Sequence, residues 1–472
     1  MRTKVLFVLL LISGCSYLPA IGPDYEKPKE NLPEQYYIPI EDKYFEKTDR
    51  PLGKWWNSFS DDVLNELIER TIENNKDIKI ALSRIEQSRL QFRITKGIFL
   101  PDIDKNFSFS RKKFSENSAQ RQASDAPFNS FDHNFDFSWE IDFFGGDRRR
   151  YLEAEALHDA SKENHRDVIA TTIAETARRY FDLLALRRRV VVAEENIKAQ
   201  QESIELVQVR YNAGLVSELD LLQAKAQVES TEAALHQLLS QEQELINSLA
   251  ILLGDDAISE KSVFRSLNLK MESLEKDFPK IALAFPSTVL RSRGDVQKVE
   301  RNLAAAINAI GVAESDYFPK FIISGYFGGE SEKPGDLFHQ SSQIWNIAPS
   351  VHWPIFRGGR VTANLHLEEE RAKQAQIEFE KVVLVAFSEV SAAIRSYQEE
   401  IQRFDHLSKS LVSNKRSLAL ANDLYLKGLT DFIRVLDAQR AVFSSEDAFT
   451  QSKSAIRIKA IAIYKALGAG VV

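Results

Sequence analysis

The sequence predicts a mostly α-helical chain with a β-barrel part, and three observations carry that prediction. One pattern of residues occurs twice, four very long stretches lack both proline and glycine, and a short segment in each repeat alternates apolar or aromatic with polar residues. The composition allows a large folded body: 472 residues, 44% hydrophobic and 27% charged.

The duplication is visible in paired landmarks. Tyr211-Asn-Ala-Gly214 followed by Leu222-Gln-Ala224 returns as Tyr425-Leu-Lys-Gly428 followed by Leu436-Asp-Ala438, a shift of about 214 residues. Leu253-Gly254 returns as Leu467-Gly468, Phe144-Gly145-Gly146 as Phe356-Arg357-Gly358-Gly359, and Leu100-Pro101 as Phe318-Pro319.

Within each copy, punctuation lays out the helices. Proline and glycine are absent from 147–213, 217–253, 360–427 and 429–467, and apolar residues recur there at spacings of three and four. Each copy therefore holds two long helices, the longer extending roughly 100 Å at 1.5 Å per residue, which predicts an elongated shape. Gly214 and Gly428 supply the left-handed position that closes a helix, so each pair is expected as an antiparallel hairpin. Asp147 is the expected N-cap of the first long helix, and Arg148, Arg149 and Arg150 read as a solvated or headgroup-facing run.

The strand segments carry the other period. From Phe131 to Phe143 the odd positions are Phe, His, Phe, Phe, Trp, Ile and Phe, and the even positions are Asp, Asn, Asp, Ser, Glu and Asp. Such alternation suits a strand between lipid and a wet lumen, and a soluble sandwich with one wet face is the competing reading. Gln343 to Trp353 repeats it with Trp345, Ile347, Val351 and Trp353 on the apolar side. Partner strands are expected at 103–114 and 320–328, one hairpin per copy. No segment beyond the N-terminal apolar run offers the roughly 18 to 20 consecutive apolar residues of a spanning helix, so any crossing is made by strands.

Four strands leave open edges that hydrocarbon does not tolerate, so several chains must share one barrel. Two chains would give an eight-stranded barrel filled by its own side chains, so a conducting pore needs at least three. With three, four transmembrane strands per chain make a shared 12-stranded trimeric barrel, continued on its inner side by the duplicated helical hairpins as a tube.

The N-terminus reads as an export signal: basic Arg2 and Lys4, apolar Val5 to Ile12, then Ser13 and Gly14. Cys15 is the single cysteine, which excludes a disulfide within the chain. Ile12-Ser13-Gly14-Cys15 resembles a lipobox, making Cys15 the expected lipidation site and a covalent lipid the only cofactor. The chain divides accordingly into a signal peptide 1–14, an extended linker 15–60, a first repeat 61–260 and a second repeat 261–472. The first repeat holds strands at about 103–114 and 131–143 and helices at 147–213 and 217–253; the second holds strands at about 320–328 and 343–353 and helices at 360–427 and 429–467.

Several function classes are excluded. The net charge of -7 with interspersed signs leaves no basic stripe for nucleic acid. The eight histidines show no zinc or metalloprotease spacing, although His158 and His165 lie seven apart on one helix face, and phosphate-loop and nucleophile-elbow motifs are absent. The expectation is a protein without catalytic or metal-binding residues.

A family resemblance joins these pieces. Lys54-Trp55-Trp56 with Phe59, Asp61, Leu64 and Leu67, Asn75-Lys76-Asp77, Pro286-Ser287 with Leu290, Arg293 and Asp295, Ile310-Gly311-Val312-Ala313 leading to Phe318-Pro319, and Pro354 to Arg360 stand in the order found in TolC-like outer-membrane efflux proteins. The chain resembles the lipoprotein branch that partners resistance-nodulation-division pumps, over nearly its whole length. The resemblance implies a homotrimer anchored in outer-membrane lipid, serving as the passive exit duct of a machine with a periplasmic adaptor (membrane fusion) protein and an inner-membrane pump. It implies a periplasmic gate at the second helix turn, for which Ile433, Asp437 and Arg440 are the candidates, four and then three apart on one face. It also implies adaptor or pump contacts at the helix-turn residues Tyr211, Gly214, Tyr425 and Gly428. Arg434 replaces a second acidic position of some relatives, and Arg357 replaces a usual Asp. A free-standing porin and a structural helical lipoprotein are the alternative functions.

Overall fold

A computed structural model describes residues 20–28, 41, 43–48, 53–115, 126–255, 271–276, 278, 280–284 and 292–470. Cys15 and the signal segment lie outside the described residues. The chain is mostly helical. In order it forms β1 (Phe45–Thr48), a 3-10 turn (Trp55–Phe59), α1 (Asp62–Asn74), α2 (Lys76–Gly97), β2 (Asp102–Lys112), β3 (Phe128–Ile141), α3 (Gly146–Asn212) and α4 (Glu218–Leu253). The second half supplies β4 (Ile281–Ala284), α5 (Gly294–Ser315), β5 (Lys320–Ser331), β6 (Gln343–His352), α6 (Arg360–Leu426) and α7 (Phe432–Ala466). Among the described residues no helix is long and apolar enough to cross a membrane.

The chain separates into two compact units. The first comprises residues 1–29, 85–161 and 298–380 and contains one antiparallel sheet in the order β2-β3-β5-β6. The two hairpins are joined through the middle pair, with Phe135 opposite Phe327 and Phe131 opposite Ser331. Trp139 donates its indole N–H to the Phe99 carbonyl at 3.2 Å, and Trp353 donates to Tyr317 at 3.0 Å, so tryptophans close both copies of the strand base.

The second unit comprises 30–84, 162–297 and 381–472. Its core gathers Trp55, Trp56 and Phe59 with Leu64, Leu67 and Ile68 of α1, Tyr180 and Phe181 of α3, and Ile461 and Tyr464 of α7. Trp55 stacks on Tyr464 at 5.1 Å. The motif that follows is explained by capping: Asp61 accepts from the Val63 and Leu64 amides at the start of α1 and from the Tyr180 hydroxyl at 2.8 Å. Burial first, and the Asp61 charge second, push the Tyr180 hydroxyl well above its ordinary range. Asp61→Ala removes a cap and the charged acceptor of a buried hydroxyl, so chemical denaturation should show a loss of about 2 kcal/mol.

Three expectations are corrected. The segment 15–60 is not simply an extended linker, because β1 pairs in parallel with β4, Phe45 opposite Ile281, adding strands outside the two hairpins. Asp147 is not the cap of α3: the Asp142 carboxylate accepts from the Asp147 and Arg148 amides at 3.2 and 2.9 Å, while Asp147 pairs with Arg150 at 2.7 Å. The left-handed Gly145 (φ +83°) turns the chain so that the end of β3 reaches the helix start. The arginine run is not uniformly solvated, because Arg149 is 2% exposed. Helices α1, α2 and α5 and the late start of α7 at Phe432 also went beyond the sequence reading.

Candidate functional site

Two features stand out, one in each unit. The four-stranded sheet has faces of opposite character. Ile103, Phe107, Phe109, Phe135, Phe327, Trp345, Ile347 and Val351 all occupy odd positions and all expose large apolar surface. The alternate face is acidic and hydroxylic. There Asp104 stands opposite Asp136, and Asp132 stands opposite Glu330. Asn106 donates to Asp136 at 2.6 Å, and the buried Ser130 hydroxyl lies 3.1 Å from Asp132 and 3.3 Å from Glu330. Apolar area on this scale facing outward, backed by a charged face, is unfavourable in water and favourable in a membrane.

The helix turns form the second feature. Both close identically: the Gly214 amide donates to Tyr211 and the Leu215 amide to Arg210, just as Gly428 donates to Tyr425 and Leu429 to Leu424. Gly214 and Gly428 have φ of +70° and +71°, with open space where a Cβ would sit. Gly428→Ala therefore meets no clash, and the expected cost in chemical denaturation is only the left-handed conformation, about 1 kcal/mol.

The two turns are nevertheless unequal. Tyr211 is exposed, whereas Tyr425 is buried in a cluster with Val207, Leu221, Phe432 and Leu436. Arg210 makes the difference. Its guanidinium donates to the Tyr425 carbonyl at 2.8 Å and lies 4.6 Å from the Tyr425 ring, and the equivalent position before Tyr425 is Leu424. Burial pushes the Tyr425 hydroxyl up, with Arg210 opposing. The sequence carried this signal in the Arg210–Leu424 mismatch between copies.

Ile433, Asp437 and Arg440 are partly exposed on α7. Arg440 lies 3.8 Å from Asp437 and donates through Nε to the Gln227 side chain of α4 at 2.6 Å. Gln439 next to it donates to Ser203 of α3 at 3.0 Å. The second turn is thus tied to both helices of the first hairpin. His158 hydrogen-bonds Ser88 and stacks on Phe92, and among the described residues no group of three or more His, Cys, Asp or Glu is placed to hold a metal.

A sheet apolar on one face and wet on the other, in a duplicated chain of long helical hairpins, defines a channel-forming component of an outer membrane. The chain belongs to the outer membrane efflux protein family, whose model matches residues 67–255 and 285–469. It is 27% identical to the cation efflux system protein CusC of Escherichia coli, over 98% of each chain. It is 28% identical to the toluene efflux pump outer membrane protein TtgI of Pseudomonas putida, over 99% of this chain and 98% of that one. The solved open state of the Neisseria gonorrhoeae MtrE outer membrane channel matches with a TM-score of 0.82 and 26% identity, covering 96% of this chain and 99% of that chain. The protein is an outer-membrane efflux channel component, and the porin alternative falls away.

Proposed function

We propose that three copies pool their hairpins into one twelve-stranded barrel and form the passive exit duct of a tripartite efflux system. The observation that carries this reading is the sheet order β2-β3-β5-β6, in which β2 and β6 each pair on one side only among the described residues. An open edge in hydrocarbon is costly, and pairing β2 of one copy with β6 of the next removes every edge. In this reading Cys15 carries the lipid that anchors the chain in the outer membrane, and the helical hairpins form a tube in the periplasm. Ile433, Asp437 and Arg440 narrow its inner end. The turns at Tyr211, Gly214, Tyr425 and Gly428 meet a periplasmic adaptor or a resistance-nodulation-division pump.

The chain needs no cofactor beyond its lipid and performs no catalysis. Relatives of nearly equal identity are named for cation and for toluene efflux, which supports a conduit that leaves cargo selection to the pump. In planar bilayers the purified protein should give small, discrete currents that grow when the inner end is altered. Complete absence of current would return the chain to the structural-lipoprotein reading.

A further inference from the structure

The three arginines that open α3 have separate partners. Arg148 pairs with Asp142 at 3.3 Å and Arg150 with Asp147 at 2.7 Å. Arg149 turns inward, onto the N-terminal segment. Its Nε donates to the Ile21 carbonyl at 2.8 Å, and one terminal nitrogen donates to Gly22 at 2.7 Å and Ala20 at 3.4 Å. The other terminal nitrogen donates to Asn308 at 3.3 Å and meets Asp24 at 2.9 Å. A guanidinium presents its N–H groups in a fixed fork, and here all three nitrogens donate, with the Asp24 carboxylate adding an ion pair. Lysine could not replace it.

Glycines let the segment come this close. A Cβ on Gly22 would lie 2.4 Å from the Gly311 Cα, and one on Gly311 would lie 2.8 Å from both Arg149 Cγ and the Ile21 carbonyl. Gly311 of the Ile310-Gly311-Val312-Ala313 motif is thereby explained. The Ile21 amide donates to the Phe144 carbonyl at 3.0 Å, directly at the turn between β3 and α3.

A second buried charge, Glu300 of α5, holds the next residues. At 1% exposure it accepts from the Tyr25 hydroxyl at 2.9 Å and pairs with Lys27 at 3.2 Å and Arg301 at 2.6 Å. Burial alone would raise its carboxyl, but the Tyr25, Arg301 and Lys27 bonds outweigh it and hold the group below the ordinary 4.5. A lowered carboxylate contributes its stability above the ordinary value and loses it as pH falls through the lowered one, so this contact persists at every pH above 4.5.

We propose that Arg149 and Glu300 are a two-point clamp that binds residues 20–28 to the strand-to-helix junction and to α5, and so fixes where an anchor on Cys15 leaves the fold. Four residues lie between Cys15 and Ala20, and the five steps reach at most about 17 Å. The clamp rests on the structure alone; the anchor half rests on the lipidation reading above. Arg149 and Glu300 are positioning residues.

Hydrogen exchange of the full-length protein in detergent, with mass analysis of the N-terminal peptide, tests both halves. Within peptide 20–28 the Ile21 amide, which donates to Phe144, should be protected, and Arg149→Met or Gly311→Ala should speed its exchange roughly tenfold or more while peptides of α4 stay unchanged. The paired change Tyr25→Phe with Lys27→Ala alters only the segment, and should release its end even if the helix variants fold poorly. In lipid bilayers, a fluorophore at Glu26→Cys should be quenched by brominated lipids from one depth, and from a spread of depths once the clamp is cut. Cys15→Ala should leave the peptide protected. An unprotected Ile21 amide in the wild type, or exchange there unmoved by Arg149→Met and by the paired change, overturns the clamp; an N-terminal peptide without acyl mass overturns the anchor half alone.

Discussion

Asp437→Ala is expected to raise the single-channel conductance of the bilayer-inserted protein several-fold. In the proposed trimer, Asp437 and Arg440, 3.8 Å apart on each chain, would form a ring of alternating charge around the threefold axis. Removing the carboxylates leaves three guanidiniums facing one another, and like charges at short range repel in a narrow, poorly solvated passage. The ring widens and its selectivity moves toward anions. Arg440→Ala should shift selectivity the other way, toward cations, and it also cuts the tie to Gln227. Because both side chains are about half exposed on the single chain, neither change should alter unfolding measurably. A conductance and selectivity indistinguishable from wild type in both variants would remove these residues from the gate.

Phe327→Arg is expected to abolish a heat-resistant trimer band on gels, whereas Tyr326→Arg one residue away should preserve it. Phe327 is 54% exposed, central in the sheet, and faces Phe135 and Trp345 on the apolar side. An arginine facing lipid near mid-membrane costs about 2–4 kcal/mol per chain, and a threefold assembly meets that cost three times. Tyr326 stands between Asp136 and Asn346 on the acidic face, where an arginine meets water and a carboxylate. Its effect should be on ion selectivity alone. Equal survival of both variants would mean that the aromatic face does not touch lipid.

The long-range plan was readable because it is periodic. Runs free of proline and glycine marked α3, α4, α6 and α7 to within three residues at each end, and alternation marked β3 and β6, since neither signal depends on distant partners. What escaped was set by contacts distant in sequence. The four residues of β1 become a strand only by pairing with Ile281–Ala284, more than two hundred residues on. Asp147 looked like a cap from its position after two glycines, yet the same turn brought Asp142 to the exposed amides first. Arg149 looked like one member of a solvated run, and only the carbonyls of residues 20–22 make it a buried group. At the second helix turn the four-then-three spacing was legible, whereas the bonds from Arg440 to Gln227 and from Arg210 to Tyr425 required the packed hairpins.

Native mass spectrometry of the protein extracted from outer membranes in mild detergent weighs the central claim most directly. Pooled hairpins predict a particle of three chains, each carrying the mass of its N-terminal lipid, that survives until the detergent is made denaturing. A particle of a single chain, stable and soluble by itself, would contradict the account.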